Sequence, residues 1–152
     1  MKINCILIIL LILFSIGYCA ASTVTRSFSA SEVEPSASLT VTLTVDVTGS
    51  ESFYAIDEST PSGWTVSDAG TGATDQTGHI KWVVIQDAGD TSYDYTMTAP
   101  ASEETTAVSG LYMFEGMGAE TSIEGETQVT VAALRVEKEE SGARERTRTS
   151  TP

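Results

Sequence analysis

Polar and apolar residues alternate most clearly in Leu39-Thr40-Val41-Thr42-Leu43-Thr44-Val45-Asp46-Val47. Five apolar side chains separated by four polar ones is the two-residue period of a strand with one buried face. A helix would scatter those five around its circumference. β-branched Thr and Val also fit a pleated strand better than a helix. Shorter alternating runs surround this one. Thr23 to Ser29 reads as a first strand, which Glu34-Pro35 separates from the next. Tyr54 and Ile56 share a face, and Pro61-Ser62-Gly63 turns the chain toward Trp64 and Val66. Asp68 to Gly78 is loop by composition. Ile80, Trp82 and Val84 share one face with Lys81 on the other, and Tyr93, Tyr95 and Met97 alternate before Pro100. Gly110 to Gly116 and Thr127 to Leu134 complete the set.

Seven or eight short strands with regular turn signals and no amphipathic helix predict an all-β sandwich of the immunoglobulin type, antiparallel, following an N-terminal signal helix. The expected core is Leu39, Val41, Leu43, Val45, Tyr54, Ile56, Trp64, Val66, Ile80, Trp82, Val84, Tyr95, Met97, Val129 and Val131. Burial of each such side chain contributes about 1.5–3 kcal/mol before conformational entropy is counted, enough together to hold a domain without disulfides. Leu111, Met113 and Met117 form an apolar row opposite Tyr112 and Phe114. The simpler reading places that row in the core; the other makes it a patch for a neighbouring module.

The chain divides into three parts: an export signal over residues 1–21, the sandwich over 22–136 and a polar, disordered tail over 137–152. Met1-Lys2 gives a positive start, Ile6 to Phe14 is an unbroken apolar run, and Cys19-Ala20-Ala21 supplies the small residues of a cleavage site after Ala21. If uncleaved, the 17 uncharged residues from Cys5 to Ala21 would be just long enough to anchor the chain in a bilayer. The expected location is therefore secreted or cell-surface, with membrane contact only through this segment. Both cysteines lie inside the signal.

The order of the body's motifs resembles the conserved-repeat, immunoglobulin-like β-sandwich modules of archaeal and bacterial surface proteins. Val33-Glu34-Pro35 before the Thr/Val strand, Thr60-Pro61-Ser62-Gly63-Trp64, Gly78 to Val84, Tyr93 to Pro100 and Gly110-Leu111-Tyr112-Met113-Phe114 carry the likeness, over about residues 23–132. The sequence departs from that pattern where Thr60 replaces the usual Leu, and in having a single copy of a normally tandem module. The resemblance implies surface architecture or adhesion and no catalytic residues.

Charge narrows the function classes. Residues 22–133 hold 17 acids against Arg26 and Lys81, a net charge of −15. Such a body repels polyanions, so nucleic acid is excluded as a partner. His79 is the only histidine, no Gly-x-Ser-x-Gly elbow exists, and no set of His and Cys ligands for zinc remains after Ala21. His79 is expected to be exposed and without a role, and no enzyme is expected. No cofactor is expected either, although calcium could be held by acidic loops. The candidate ligands are Asp68, Asp75, Asp87, Asp90 and Asp94. Glu58 falls on the inward parity of its strand and is expected at the sandwich rim, reaching water or a backbone N–H.

These features favour an exported, non-catalytic structural or adhesion module. Its partners would be other surface proteins or an extracellular polymer, met through a sheet face, an exposed edge or end loops. The alternatives are a calcium-stabilised adhesin and a carbohydrate-binding accessory module. The latter would stack sugars on Phe53, Tyr93 or Tyr112.

Overall fold

A computed structural model describes residues 21–133; the apolar N-terminal run and the polar tail lie outside them. The described chain is strand and loop throughout, and its sheets form an immunoglobulin-like β-sandwich. Nine strands have four or more residues. In chain order the elements are β1 (Thr23–Phe28), β2 (Glu32–Val33), β3 (Ser38–Asp46), β4 (Tyr54–Ser59), β5 (Thr65–Asp68), β6 (His79–Val84), β7 (Thr91–Thr98), β8 (Glu104–Ala107), β9 (Ser109–Phe114), β10 (Thr121–Ser122), β11 (Glu124–Gly125) and β12 (Gln128–Val131). One sheet has the order β11-β1-β3-β7-β5, the other β10-β9-β4-β6, and a three-stranded piece β2-β12-β8 completes the fold. The pairings are antiparallel except for two short ones, β1 with β11 and β12 with β2.

The alternation read from the sequence sets the layers. Leu39, Val41, Leu43 and Val45 of β3 are all buried, as are Tyr54 and Ile56 of β4, Ile80 and Trp82 of β6, and Tyr95 and Met97 of β7. Val129 and Val131 join the same core from β12. Val66 and Val84, expected inside, are half-buried against its margin. Strand β9 has the parity opposite to the expected one. Tyr112 and Phe114 are buried, facing Ile56 and Tyr54 of the inner layer. Leu111 consequently points out and is 41% exposed, with Met113 half-buried beside it, while Met117 packs against the core from the following turn. The two aromatic rings bury more apolar surface than Leu and Met would, which decides the face.

Two charged residues lie among these apolar ones. Arg26 on β1 and Glu58 on β4 are 1% and 0% exposed, and they face each other from opposite sheets. The guanidinium donates from Nε to Oε1 and from Nη2 to Oε2 of Glu58, both at 2.7 Å. Its Nη1 donates to the carbonyls of Val108 at 3.2 Å and Glu126 at 3.0 Å. The Tyr95 hydroxyl of β7 donates to Glu58 Oε1 at 2.8 Å. Glu58 thus does not sit at the rim, as its nearness to Pro61 suggested. It is the floor of a charged cluster sealed between the sheets. Burial pushes its carboxyl above the ordinary value, while Arg26 and Tyr95 pull it back. The same burial, with the Glu58 charge, pushes the Tyr95 hydroxyl far up and keeps it a donor.

Gly110 gives the cluster its space. It stands beside Glu58 in the β4–β9 register, where a Cβ would come within 2.1 Å of Glu58 Oε2 and 3.1 Å of Arg26 Nη2. Gly110→Ala must displace the carboxylate, and we expect it to cost about 2–3 kcal/mol in denaturant unfolding. Tyr95→Phe removes one hydrogen bond to a charged group and should cost about 1.5–3 kcal/mol. Unchanged midpoints for both would show that the cluster has slack this geometry does not have.

Candidate functional site

The two sheets present very different outer faces. Outward positions of the five-stranded sheet are Thr25 and Ser27 of β1, Thr40, Thr42 and Thr44 of β3, and Ser92, Asp94, Thr96 and Thr98 of β7. No large apolar side chain appears among them. The outer face of the four-stranded sheet has three cross-strand rows running β9 to β4 to β6. They are Met113–Ala55–Val83, Leu111–Asp57–Lys81 and Ser109–Ser59–His79. The first row is wholly apolar, and Leu111 extends it. Val83 is 65% exposed, and Ile85, just beyond the end of β6, is 77% exposed. With Leu111 they are the large hydrophobic side chains that the described residues leave in water. A depression of about 230 Å³ runs between them, lined by Ala55, Asp57, Lys81, Val83, Leu111, Met113 and Glu120.

One end of this face is polar and ordered. Asp57 Oδ1 lies 2.7 Å from His79 Nδ1, and its Oδ2 lies 3.1 Å from Lys81 Nζ. His79 is therefore half-buried in an ion-pair cluster rather than idle at a strand entrance. Partial burial acts to raise the Asp57 carboxyl, but hydrogen bonds and charge from His79 and Lys81 outweigh it, and the net direction is downward. Lys81, the one cation of residues 22–133 besides buried Arg26, is held in this cluster. Around it the surface is acidic.

A second concavity follows the free edge of β6. About 540 Å³ in volume, it is lined by Thr71, Ala73, Asp75, Lys81, Trp82, Val83 and Tyr93. The Tyr93 ring stacks on Trp82 with centroids 5.4 Å apart and planes 27° off parallel, and its hydroxyl shares a 2.6 Å hydrogen bond with that of Tyr54.

The aromatic residues expected as sugar platforms do not form one. Tyr112 is 3% exposed, packed edge-on against Phe114 in the core. Tyr93 is half-buried with one ring face taken by Trp82, and Phe53 is half-buried ahead of β4. The five aspartates expected as calcium ligands are not gathered into one site. Asp68 Oδ1 accepts from the Gly70 N–H, Asp90 Oδ1 from the Val47 N–H, and Asp94 Oδ1 from the Thr42 hydroxyl. Asp87 occupies a left-handed turn position at φ 57°, and Asp75 lies in the loop beside the β6 groove. Among the described residues no three His, Cys, Asp or Glu side chains converge as metal ligands would. The exposed apolar face was legible in part, since Leu111 and Met113 stand out as a row.

No family model matches the chain, and no curated protein does. Among solved structures it is similar to a non-cellulosomal cohesin from the hyperthermophilic archaeon Archaeoglobus fulgidus, at 15% identity and a TM-score of 0.46, over 75% of this chain and 93% of that one. A type II cohesin domain from the cellulosome of Acetivibrio cellulolyticus matches at 6% identity and a TM-score of 0.45, over 74% and 95%. A protein from Nocardia farcinica with an immunoglobulin-like fold matches at 15% identity and a TM-score of 0.38, over 73% and 99%. The likeness is one of β-sandwich fold.

The Asp57 cluster makes a pH prediction. Its folded-state carboxyl titrates below the ordinary 3.8, so the cluster stabilises the fold above that value and loses its contribution as pH falls through the folded one. Because the pairs are a third exposed, the loss should be a few tenths of a kcal/mol. Urea unfolding of the parent and Asp57→Asn from about pH 6 down to about pH 2 checks this. The parent should lose more than the variant, and equal slopes would contradict the assignment.

Proposed function

We propose that the chain is an exported, non-catalytic recognition module of the cell surface or its surroundings. It binds a protein partner through the outer face of its four-stranded sheet. The observation that carries this reading is the contrast between the two outer faces, one of hydroxyls and carboxylates, the other bearing Met113, Ala55 and Val83 in register with Leu111 and Ile85 at their margin. Apolar side chains grouped on one face of an otherwise polar molecule are the usual mark of a contact surface. The signal-like run Ile6 to Phe14 with Cys19-Ala20-Ala21 supports export. The single histidine is engaged by Asp57 and has no nucleophile hydrogen-bonded to it among the described residues, which supports a binding role over a catalytic one.

Charge indicates the kind of partner. Two copies of a body at −15 repel each other, so the face fits a different protein, one with an apolar centre and a basic rim. The rim would meet Glu120, which borders the depression.

A photo-crosslinking side chain at Leu111 in the producing cells tests the reading, with the same group at Thr44 on the opposite face as control. We expect a discrete protein adduct from position 111 and none from position 44. Val83→Glu should weaken that complex by about 1–2 kcal/mol, roughly 5- to 30-fold, and added salt should weaken it further. Equal labelling from both positions, or none from either, would contradict the proposal.

A further inference from the structure

The outward edge of β6 is only partly used by the chain's own fold. β6 is the terminal strand of its sheet, with β4 on one side. On the other side the loop after β5 runs alongside it. The His79 N–H donates to the Gln76 carbonyl at 3.1 Å, and Lys81 exchanges both backbone hydrogen bonds with Ala73, at 2.8 and 2.9 Å. In an antiparallel pair the N–H and C=O of one residue point the same way, and successive residues alternate. His79 and Lys81 therefore define the outward set, and Val83 is its next member. Its backbone N–H and C=O face away from β4, and no described residue bonds them.

Gly72 lies against the inward side chains, where a Cβ would come within 2.3 Å of Ile80 Cγ2 and 2.8 Å of the Trp82 ring. The chain reaches Ala73 from β5 through a turn in which the Gly72 N–H donates to the Ala69 carbonyl at 2.9 Å. The groove of about 540 Å³ lies between this loop, which contributes Thr71, Ala73 and Asp75, and the outer edge of β6. On the β6 side it is lined by Lys81, Trp82 and Val83, with Tyr93 stacked on Trp82. The Trp82 indole N–H is buried without a partner among the described residues.

Resting on the reading that the β6 side of this sheet is a recognition surface, we infer that the partner contributes an extended segment that pairs with β6 at Val83. Main-chain hydrogen bonds to Val83 supply affinity, and the groove selects side chains of alternate parity. One parity faces Trp82 and Tyr93 and is apolar. The other meets the outer face and carries lysine or arginine, complementary to a body of net charge −15. Charge decides against a second copy of this chain in that place, because each copy brings −15 to the contact.

The test uses the full chain and a heptapeptide of alternating lysine and valine, with a second peptide of the same sequence methylated on alternate backbone nitrogens. Amide hydrogen exchange is read at Val83 and at Lys81. With the parent peptide at about nine times its Kd, Val83 exchange should slow about tenfold, since exchange then requires the free fraction. Lys81, already bonded to Ala73, should hardly change, and the methylated peptide should protect neither. Val83→Pro removes the outward donor while leaving the β4 ladder, and should abolish measurable binding of the parent peptide, read by titration calorimetry. Should that variant not fold, the methylated peptide carries the comparison by itself. Equal effects of both peptides would mean attraction by charge alone and overturn the inference. So would protection of Val83 that grows with protein concentration in the absence of peptide, which would make a second copy the occupant. Loss of the edge effect with the Leu111 adduct intact would remove this inference and leave the proposed face standing. Absence of both would remove the two together.

Discussion

The fold depends on one interaction between unlike charges in an apolar interior. Arg26 leaves the five-stranded sheet and Glu58 leaves the four-stranded sheet, and they meet in a two-toothed contact with Tyr95 and two backbone carbonyls completing their hydrogen bonds. Taking two ions out of water costs several kcal/mol each, a cost that only close and fully partnered geometry offsets. The arrangement therefore tolerates little displacement of one sheet against the other. A sandwich held by aliphatic contacts alone could slide with small loss, because dispersion and burial are nearly non-directional. Here the register across the interior is tied to a guanidinium fork whose donors have fixed directions.

The outer face follows from that register. Glu58 inward places Asp57 and Ala55 outward on β4, and the pairings with β6 and β9 then line up Val83, Lys81, Leu111 and Met113 beside them. Gly110 belongs to both sides of this relation. It admits the carboxylate at the inner face, and it shares its inward parity with Tyr112 and Phe114, which leaves Leu111 outward. The interior ion pair and the exposed apolar strip are thus two consequences of the same alternation.

Much of this was readable from residue order. The strand over 39–47, the inward positions on β4, β6 and β7, and the turn at Pro61 to Gly63 all follow from period-two alternation and turn chemistry. Glu58 fell on an inward parity, and Arg26 shares its face with Val24 and Phe28 in the same way. Two lone opposite charges on inward positions of separate strands were a signal for a buried pair. The parity of β9 was harder, since Leu111-Tyr112-Met113-Phe114 is apolar on both faces and alternation cannot choose between them. The free edge of β6 was beyond reach, because strand neighbours are set by long-range pairing that local pattern does not encode. The same holds for His79, whose Asp57 partner lies 22 residues earlier on the adjacent strand.

The dependence of the sandwich on its buried ion pair is tested most directly by a double-mutant cycle of Arg26→Met and Glu58→Leu, followed by denaturant unfolding. Each single change strands a buried charge and should cost about 3–5 kcal/mol, while the double variant, with both charges gone, should lose far less than the two together. A coupling of at least about 3 kcal/mol is the result this geometry requires. Additive losses would mean that Arg26 and Glu58 contribute independently, and that something other than their contact sets the register of the sheets.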